Sequence, residues 1–278
     1  VEVVMHLGAI PIFVDINTET YTIDIKDFEK KVNKTIKAVI PVHLFGNNSN
    51  IENIKKICNE YNIKIIEDVA QAFGSGTKKN IKLGSIGDMG AFSFFPSKTL
   101  GGIGDGGCVV TSNFSYYKKI LKLRNHGQEK NYDHDLVGAN SRLDSLNAFV
   151  LNEKLSIFQE IKKSRNSFYN FYINNLSHLD WVNLPTKQNE NTILNYFTIT
   201  VPPILRNKLL SYLNKHHIGA SIYYKKPVHL QKVVLDRYNK ISLKNTERIS
   251  KSVISLPFYS FPEDGELEYL IAKINKFI

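Results

Sequence analysis

The 278-residue chain has only two cysteines, two methionines and one tryptophan, and it has no long apolar run. Cys58 and Cys108 cannot form the disulfide framework of a small secreted domain, so a reducing compartment, the cytoplasm, is expected. No apolar run is long enough to span a bilayer. The apolar first 16 residues carry Glu2 and Asp15 and lack a basic start, which argues against a signal peptide.

Positive charge is in excess, because 36 Lys and Arg stand against 26 Asp and Glu and give a net charge of +10. Such an excess favours anionic partners, including nucleic acid, anionic lipid and phosphorylated metabolites. The lysines are spread along the chain, so solvated lysines on exposed faces are the simpler interpretation. The aromatic–lysine clusters 116–119 and 223–226 could stack on bases, but neither nucleic acid nor a membrane is predicted as a partner.

Short apolar runs alternate with helical patterns in the first part of the chain, which predicts a mostly parallel sheet between helices. The predicted strands are residues 10–16, 36–41, 64–67, 89–95 and 108–111, and the predicted helices are residues 24–32, 51–61 and 114–124. One long helix over residues 143–161 is expected to lead out of this part. We therefore predict an α/β domain over residues 1–155.

A smaller α+β domain is predicted over residues 156–278. Its predicted elements are a strand over residues 193–201 and helices over residues 205–216, 244–252 and 263–277. Pro262 is expected in the first turn of the last helix, where a proline costs no hydrogen bond.

The glycine run 101–107 contains a formal GxGxxG match at Gly102, Gly104 and Gly107. A dinucleotide fingerprint requires a helix that opens on the last glycine, whereas this run leads into a predicted strand. The dinucleotide interpretation is therefore rejected, and the glycines are expected to allow a sharp turn or a close approach to a ligand. With no HExxH and no Cys-x-x-Cys pattern, no metal site is predicted.

Four side chains with complementary chemistry follow predicted strands. Asp68 ends the strand 64–67 and Gln71 lies three residues later, while Ser93 and Lys98 lie at and after the end of the strand 89–95. Each alone has an ordinary explanation, such as a turn or helix cap for the aspartate. Together they place a carboxylate, an amide, a hydroxyl and an amine at the carboxyl edge of a parallel sheet, where ligands bind.

Pyridoxal phosphate is the cofactor whose chemistry requires this set. It needs a lysine amine for its Schiff base and a carboxylate that keeps its ring nitrogen protonated. A buried aspartate paired with that nitrogen stays ionised, because the cation offsets the desolvation of the carboxylate. The lysine, once displaced by substrate, can then carry the proton.

Seven segments of the sequence, in order, resemble the DegT-type nucleotide-sugar aminotransferases, pyridoxal-phosphate enzymes with the aspartate-aminotransferase fold. The segments are residues 8–16, 41–46, 66–74, 93–107, 123–127, 140–144 and 227–231. The resemblance implies that residues 1–155 form the cofactor-binding large domain. It also implies transfer of an amino group, usually from glutamate, to a keto sugar linked to a nucleotide.

The resemblance assigns roles to individual residues. Lys98 is similar to the Schiff-base lysine, Asp68 to the partner of the pyridine nitrogen, and Gln71 to the residue beside the phenolic oxygen of the ring. Ser93 resembles a phosphate ligand. Asn140 resembles an asparagine that reaches the cofactor phosphate of a neighbouring subunit, which implies a homodimer with shared active sites. The residues implied to line the substrate pocket are His43, Arg124, His126 and His229.

Two departures from the family pattern matter. In full-length members a segment precedes the position of Val1 and supplies a phosphate-cradling loop and an aromatic residue that stacks on the ring, so the chain is expected to be N-terminally truncated. Thr99 stands where many relatives have Asn. Two alternatives therefore stay open: a cofactor-binding or regulatory remnant without turnover, and a sugar dehydratase, although such dehydratases replace the Schiff-base lysine with histidine.

Overall fold

The computed structural model describes residues 1–130, 132–238, 240–263 and 265–277. The strands are β1 Ala38–Val39, β2 Lys64–Asp68, β3 Met89–Ser93, β4 Gly107–Val110, β5 Gln128–Lys130, β6 Asp133–His134, β7 Phe197–Thr200 and β8 Val253–Leu256. The helices are α1 Glu2–His6, α2 Ile25–Lys31, α3 Ile51–Tyr61, α4 Phe114–Arg124, α5 Ser145–Ser156, α6 Phe158–Leu176, α7 Pro203–Lys215, α8 Lys232–Leu235, α9 Lys244–Ile249 and α10 Glu266–Asn275. Short 3₁₀ turns cover Leu44–Gly46 and Val228–Leu230.

The main sheet has the strand order β1-β2-β3-β4, with β1, β2 and β3 parallel and β4 antiparallel to β3. Helix α3 packs on it through residues at helical spacing, Ile51, Ile54 and Cys58, all fully buried. This confirms the predicted fold class, a mostly parallel sheet with helices. Because β2 and β3 are parallel neighbours, their carboxyl ends lie at one edge.

The prediction of a strand over residues 10–16 is wrong. Among residues 10–16, all of which the structure describes, only Ile16 forms a bridge, with Ile23, and side chains bind several of the other backbone atoms. The Asp15 amide donates to Asp27 Oδ2 at 2.7 Å, and Lys31 Nζ donates to the Phe13 carbonyl at 2.8 Å. The segment keeps an extended apolar pattern, but α2 rather than a neighbouring strand satisfies its backbone.

Asp15 also joins this segment to a distant part of the chain. Its Oδ1 accepts from the Thr246 amide at 2.8 Å and from Thr246 Oγ1 at 2.7 Å, and its Oδ2 accepts from the Asn245 amide at 2.9 Å. Burial by itself would raise the pKa of Asp15, but these hydrogen bonds outweigh it and lower the pKa. The carboxylate thus satisfies free amide groups in the first turn of α9.

The predicted single helix over residues 143–161 is also wrong, because α5 and α6 are separated at Ile157, whose φ is −102° and ψ 19°. Helix α6 then continues to Leu176. Its buried face includes Phe168, Tyr172 and Leu176, each at most 1% exposed. The predicted domain boundary between residues 155 and 156 lies close to this break, at the end of α5. The division of the chain into two domains stays a prediction.

The second part of the chain packs α6, α7 and α10 around the antiparallel pair β7–β8. The predicted strand 193–201 is shortened to β7, and β8 was not predicted. The last helix begins at Glu266 after Gly265, whose φ of 85° lies in the left-handed region. Pro262 therefore lies before the helix rather than in its first turn. Among the described residues, no helix combines the length and apolar character needed to cross a membrane.

Candidate active site

Asp68 is the last residue of β2, and its backbone is fixed from the β1 side. The Asp68 amide donates to the Pro41 carbonyl at 3.0 Å, and its carbonyl accepts from the His43 amide at 3.0 Å. The Asp68 carboxylate accepts from the Ala70 amide at 3.0 Å through Oδ1. These bonds hold a half-buried carboxylate at the carboxyl edge of the sheet.

Lys98 lies in the loop of residues 96–99, which we call the lysine loop. Its backbone amide donates to the Phe95 carbonyl at 2.9 Å. Burial lowers the pKa of the Lys98 amine, and the negative charge of Asp68 opposes part of this effect. The structure therefore brings these two predicted residues within electrostatic reach. Within the described part of the chain the Lys98 amine forms no salt bridge, so it is available to a ligand.

Gln71 connects this edge to the second part of the chain. Its Oε1 accepts from the Phe45 amide at 2.9 Å, and its Nε2 donates to the Tyr224 hydroxyl at 3.2 Å. Burial raises the pKa of Tyr224, the hydrogen bond from Gln71 lowers it, and Tyr223 and Asp68 raise it further. Tyr224 thus contacts Gln71 and lies within electrostatic reach of Asp68.

Ser93 ends β3 at the same edge. It lies two residues beyond Ala91, which pairs with Asp68 in the sheet register. Its Oγ accepts from the Phe95 amide at 3.3 Å, which leaves the hydroxyl proton free to be donated. The glycine run packs against this region: a Cβ on Gly101 would collide with the Pro96 carbonyl. The close approach that requires glycine there is therefore to the protein's own backbone.

Glu67, directly before Asp68, is a fully buried carboxylate with four hydrogen bonds. It accepts from the amides of Gly84, Ile86 and Gly87 at 2.8, 2.7 and 2.7 Å, and pairs with His43 Nε2 at 3.0 Å. Burial by itself would raise the pKa of Glu67, but these bonds outweigh it and lower the pKa. Glu67 therefore ties β2 to the turn that precedes β3.

The His43 ring is directed into the core, which contradicts its expected place in the substrate pocket. Its side chain is fully buried, and its Nδ1 accepts from the Ser49 amide at 3.1 Å. Because that backbone amide can only donate, the ring proton lies on Nε2, which faces Glu67. Both ring nitrogens are thus occupied within the protein, and none is left for a substrate.

Arg124, His126 and Asn140 form a separate exposed cluster. The Arg124 carbonyl accepts from the Ser141 amide at 2.9 Å, and the His126 amide donates to the Ala139 carbonyl at 3.0 Å. Asn140 Oδ1 accepts from Arg142 Nε at 3.0 Å. Within the described residues, none of the three predicted side chains forms a hydrogen bond with Lys98 or Asp68.

His229 lies in the 3₁₀ turn near a cleft of about 420 Å³. The ring is 1% exposed, its Nε2 pairs with Glu247 Oε1 at 3.2 Å, and its Nδ1 has no partner among the described residues. The cleft lining includes Phe45 and Tyr224, the two residues bonded to Gln71. This cleft therefore opens beside the site.

The sequence profile of the DegT/DnrJ/EryC1/StrS aminotransferase family matches residues 1–275. The chain belongs to this family. It is 35% identical over 262 residues to the UDP-N-acetyl-3-dehydro-alpha-D-glucosamine 3-aminotransferase of Acidithiobacillus ferrooxidans, over 94% of this chain and 69% of the relative. It is 33% identical over 279 residues to a pleiotropic regulatory protein of Geobacillus stearothermophilus, over 99% of this chain and 74% of the relative. The solved structure of NtdA from Bacillus subtilis with bound cofactor PMP matches with a TM-score of 0.85 and 30% identity, over 99% of this chain and 65% of that one.

Members of the DegT family depend on pyridoxal phosphate, and the side chains at the sheet edge fit this group. Lys98 offers an amine whose pKa is lowered, so more of it is neutral and nucleophilic than in a free lysine. Asp68 offers a carboxylate for the ring nitrogen, Gln71 an amide for the phenolic oxygen of the ring, and Ser93 a free hydroxyl proton for a phosphate oxygen. The cofactor predicted from the sequence is thus the one that the family uses.

Sequence reasoning missed two residues at this edge of the sheet. Glu67 could have been found, because a charged side chain on the buried face of a strand requires a partner. Tyr224 lies in the aromatic–lysine cluster 223–226, which was considered only as a surface for stacking on nucleic-acid bases. Its contact with Gln71 joins residues 153 positions apart and has no local signal.

Proposed function

We propose that the chain is an aminotransferase that moves an amino group, with glutamate as donor, to a keto group of a nucleotide-linked deoxysugar. The observation that carries this proposal is the half-buried Lys98 amine within electrostatic reach of Asp68, at the carboxyl edge of the sheet of a DegT-family chain. The Acidithiobacillus ferrooxidans relative, 35% identical, is named for amination of a UDP-linked sugar. The net charge of +10 suits a diphosphate substrate.

Pyridoxal phosphate, when bound, supplies an aldehyde for the amino group and a ring that withdraws electrons once its nitrogen is protonated. The Asp68 carboxylate is placed to keep that nitrogen protonated. The Lys98 amine would hold the group covalently and, once the amine of the substrate had taken its place, would be free to move a proton at the reacting carbon. Gln71 donates toward the phenolic side of the ring, and Ser93 donates to the phosphate.

We propose a homodimer in which Asn140 of one subunit reaches the cofactor phosphate of the other. Asn140 lies on the exposed cluster and forms no bond with the Lys98 site of its own chain. Exposed apolar side chains occur close to Asn140 in the sequence, since Val137 is 99%, Leu146 71% and Phe149 64% exposed. Exposed apolar side chains that join into one patch mark a protein interface, which supports the proposal.

Substrate contacts are proposed for Arg124 and His126 from the exposed cluster and for His229 beside the cleft. An arginine binds carboxylate or phosphate groups in a bidentate manner.

We also propose a cytoplasmic location, because both cysteines are free thiols.

Borohydride trapping tests the central assignment. Purified protein incubated with pyridoxal phosphate is expected to turn yellow, and borohydride is expected to fix the cofactor on Lys98, as located by peptide mass mapping. Glutamate should bleach the yellow absorbance. The Lys98→Ala variant should bind the cofactor without covalent attachment and should not respond to glutamate. Lys154→Ala is the matched control, because Lys154 Nζ also contacts this region, at the Gly101 carbonyl, 2.7 Å away. Label on another lysine would refute the assignment.

Subunit mixing tests the shared site. Asn140→Ala and Lys98→Ala proteins, each inactive alone, are unfolded, mixed and refolded. A shared site predicts that activity returns, because one site of each mixed dimer has an intact lysine and an intact asparagine. Absence of recovery, with refolded wild-type protein active in parallel, would contradict the proposed role of Asn140.

A regulatory protein without turnover is the second candidate, and the relative from Geobacillus stearothermophilus, named as a pleiotropic regulatory protein, favours it. A dehydratase is disfavoured because Lys98 is present. A protein that takes up no cofactor and transfers no amino group would support the regulatory candidate. Glutamate-dependent bleaching would support the enzyme.

A further inference from the structure

The lysine loop is held by a side chain from the second part of the chain. Asn195 Oδ1 accepts two hydrogen bonds from Thr99, one from its backbone amide at 2.9 Å and one from its Oγ1 at 3.0 Å. Asn195 is 1% and Thr99 6% exposed. The orientation of the Asn195 amide is fixed, because a backbone amide can only donate and the oxygen must face it. Thr99 directly follows Lys98.

Asn195 is itself fixed through its backbone on both sides. Its amide donates to the Phe45 carbonyl at 2.8 Å, and its carbonyl accepts from Arg165 Nη2 at 2.8 Å. The Arg165 guanidinium is 5% exposed, donates also to the Leu194 carbonyl at 3.1 Å, and lies over the Phe258 ring at 4.8 Å. Arg165 is therefore a rigid anchor on α6 rather than a mobile surface cation.

Asn195 is linked both to the lysine loop and, through Phe45, to Gln71. Phe45, which accepts from the Asn195 amide, donates its own amide to Gln71 at 2.9 Å. On the lysine loop, Ser97 lies beside the hydroxyl of Tyr196, the next residue after Asn195. The segment 195–196 thus binds Thr99, which follows Lys98, lies near Ser97, which precedes it, and is linked through Phe45 to Gln71.

We propose that Asn195 is a positioning residue that sets the orientation of the Lys98 amine toward Asp68 by holding Thr99. The inference rests on the proposed role of Lys98. A displacement of about 1 Å in a reacting group lowers the rate by about 100-fold, so an anchor of the adjacent residue controls the reaction without touching the substrate. Such a residue is expected to change turnover and the ionisation of the lysine-bound cofactor, with little effect on substrate affinity.

The test compares four variants as cofactor-loaded protein. Asn195→Ala removes the acceptor of both bonds, Thr99→Val removes only the hydroxyl, and Thr99→Ser keeps the hydroxyl. Asn191→Ala is the matched control, because the Asn191 amide also bridges the two parts of the chain, to the Thr77 carbonyl at 3.0 Å, but away from the lysine loop. The readouts are kcat, KM for the amino donor, and the pH midpoint of the visible absorbance.

For Asn195→Ala we expect kcat to fall by about 10- to 100-fold with KM near the wild-type value, together with a shifted absorbance midpoint. Thr99→Val should show the same changes in smaller degree. Thr99→Ser, which has the hydroxyl, should match wild type, and so should Asn191→Ala. Normal kcat and midpoint in Asn195→Ala would overturn the inference.

Two further outcomes separate the inference from the proposed function. Failure of borohydride to label Lys98 in the wild-type protein would overturn both, whereas normal labelling with an unaffected Asn195→Ala variant overturns only the positioning role. If Asn195→Ala does not fold, as judged by circular dichroism, Thr99→Val decides: an unchanged absorbance midpoint in that variant overturns the inference, and a shifted midpoint supports it.

Discussion

The buried Glu67 carboxylate offers the sharpest stability prediction. Glu67→Gln keeps the shape of the side chain but replaces one oxygen with an NH₂ group, which cannot accept a hydrogen bond. Oε1 accepts from Ile86 and Gly87, and Oε2 accepts from Gly84 and pairs with His43. Whichever oxygen is replaced, two donors that are buried or partly buried lose their acceptor.

The magnitude follows from these two lost bonds. A hydrogen bond to a charged group contributes roughly 1.5–3 kcal/mol, so losing two costs about 3–6 kcal/mol. We expect about 3 kcal/mol, the low end, because the turn of residues 84–87 can shift to relieve part of the loss. That is a large fraction of the roughly 5–15 kcal/mol that stabilises a typical domain.

The assay is urea unfolding of the cofactor-free wild-type and Glu67→Gln proteins across pH. The pKa of Glu67 is lowered in the folded state, so its contribution is complete above its ordinary value of 4.5 and is lost as the pH falls through the folded-state pKa. The difference between the two proteins should be constant from neutral pH down to about 4.5 and shrink below it. Glu52→Gln is the control, because Glu52 accepts one bond at 3.2 Å, from Asn48 Nδ2, and should change stability by less than about 0.5 kcal/mol. A loss for Glu67→Gln below about 1 kcal/mol, or a difference that does not shrink in acid, would refute this reasoning.

Three other predictions concern the site and the second core. Asp68→Asn removes the charge opposite the ring nitrogen, so transamination should fall by at least about 100-fold while borohydride labelling of Lys98 persists; full activity would exclude the assigned role. Burial lowers the pKa of Lys98 below its ordinary value of 10.5, so the rate at which cofactor-free protein captures the cofactor should reach half its maximum below pH 10.5. A midpoint at or above pH 10.5 would contradict the statement that burial lowers this pKa. Phe168→Ala should lower the free energy of unfolding, measured by urea titration, by about 3–5 kcal/mol, because Phe168 is 1% exposed in the core of the second part of the chain. A loss under about 1 kcal/mol would show that this core collapses to fill the cavity left by the ring.

Sequence reasoning worked where the signal was local. The period of the apolar residues predicted the parallel sheet, which the structure confirms. Residue type at two strand ends indicated Asp68 and Lys98, because parallel strands bring their carboxyl ends to one edge, and the roles of these two residues stay predictions. Such reasoning failed where the outcome depends on distant partners. The apolar spacing runs unbroken through Leu155, Phe158 and Ile161, so nothing local marks the break at Ile157.

The direction of a side chain was equally hidden. A histidine after a strand can face the pocket or the core, and His43 faces the core only because Glu67 and the Ser49 amide bind both of its nitrogens. The bond between Asn195 and Thr99 joins residues 96 positions apart, and no pattern in either segment indicates the other. The sequence therefore indicated the candidate reactive groups, whose roles stay predictions, but not the residues that hold them in place.

The carboxylate of Asp15 has a consequence for biosynthesis. Its ligands at Asn245 and Thr246 are translated 230 and 231 residues later, so these bonds cannot close until most of the polypeptide has left the ribosome. Contacts between residues so far apart in the sequence form late in folding and lower the folding rate. On the nascent chain the early segment therefore stays without this anchor, and proteolysis of stalled translation products should cut near it first.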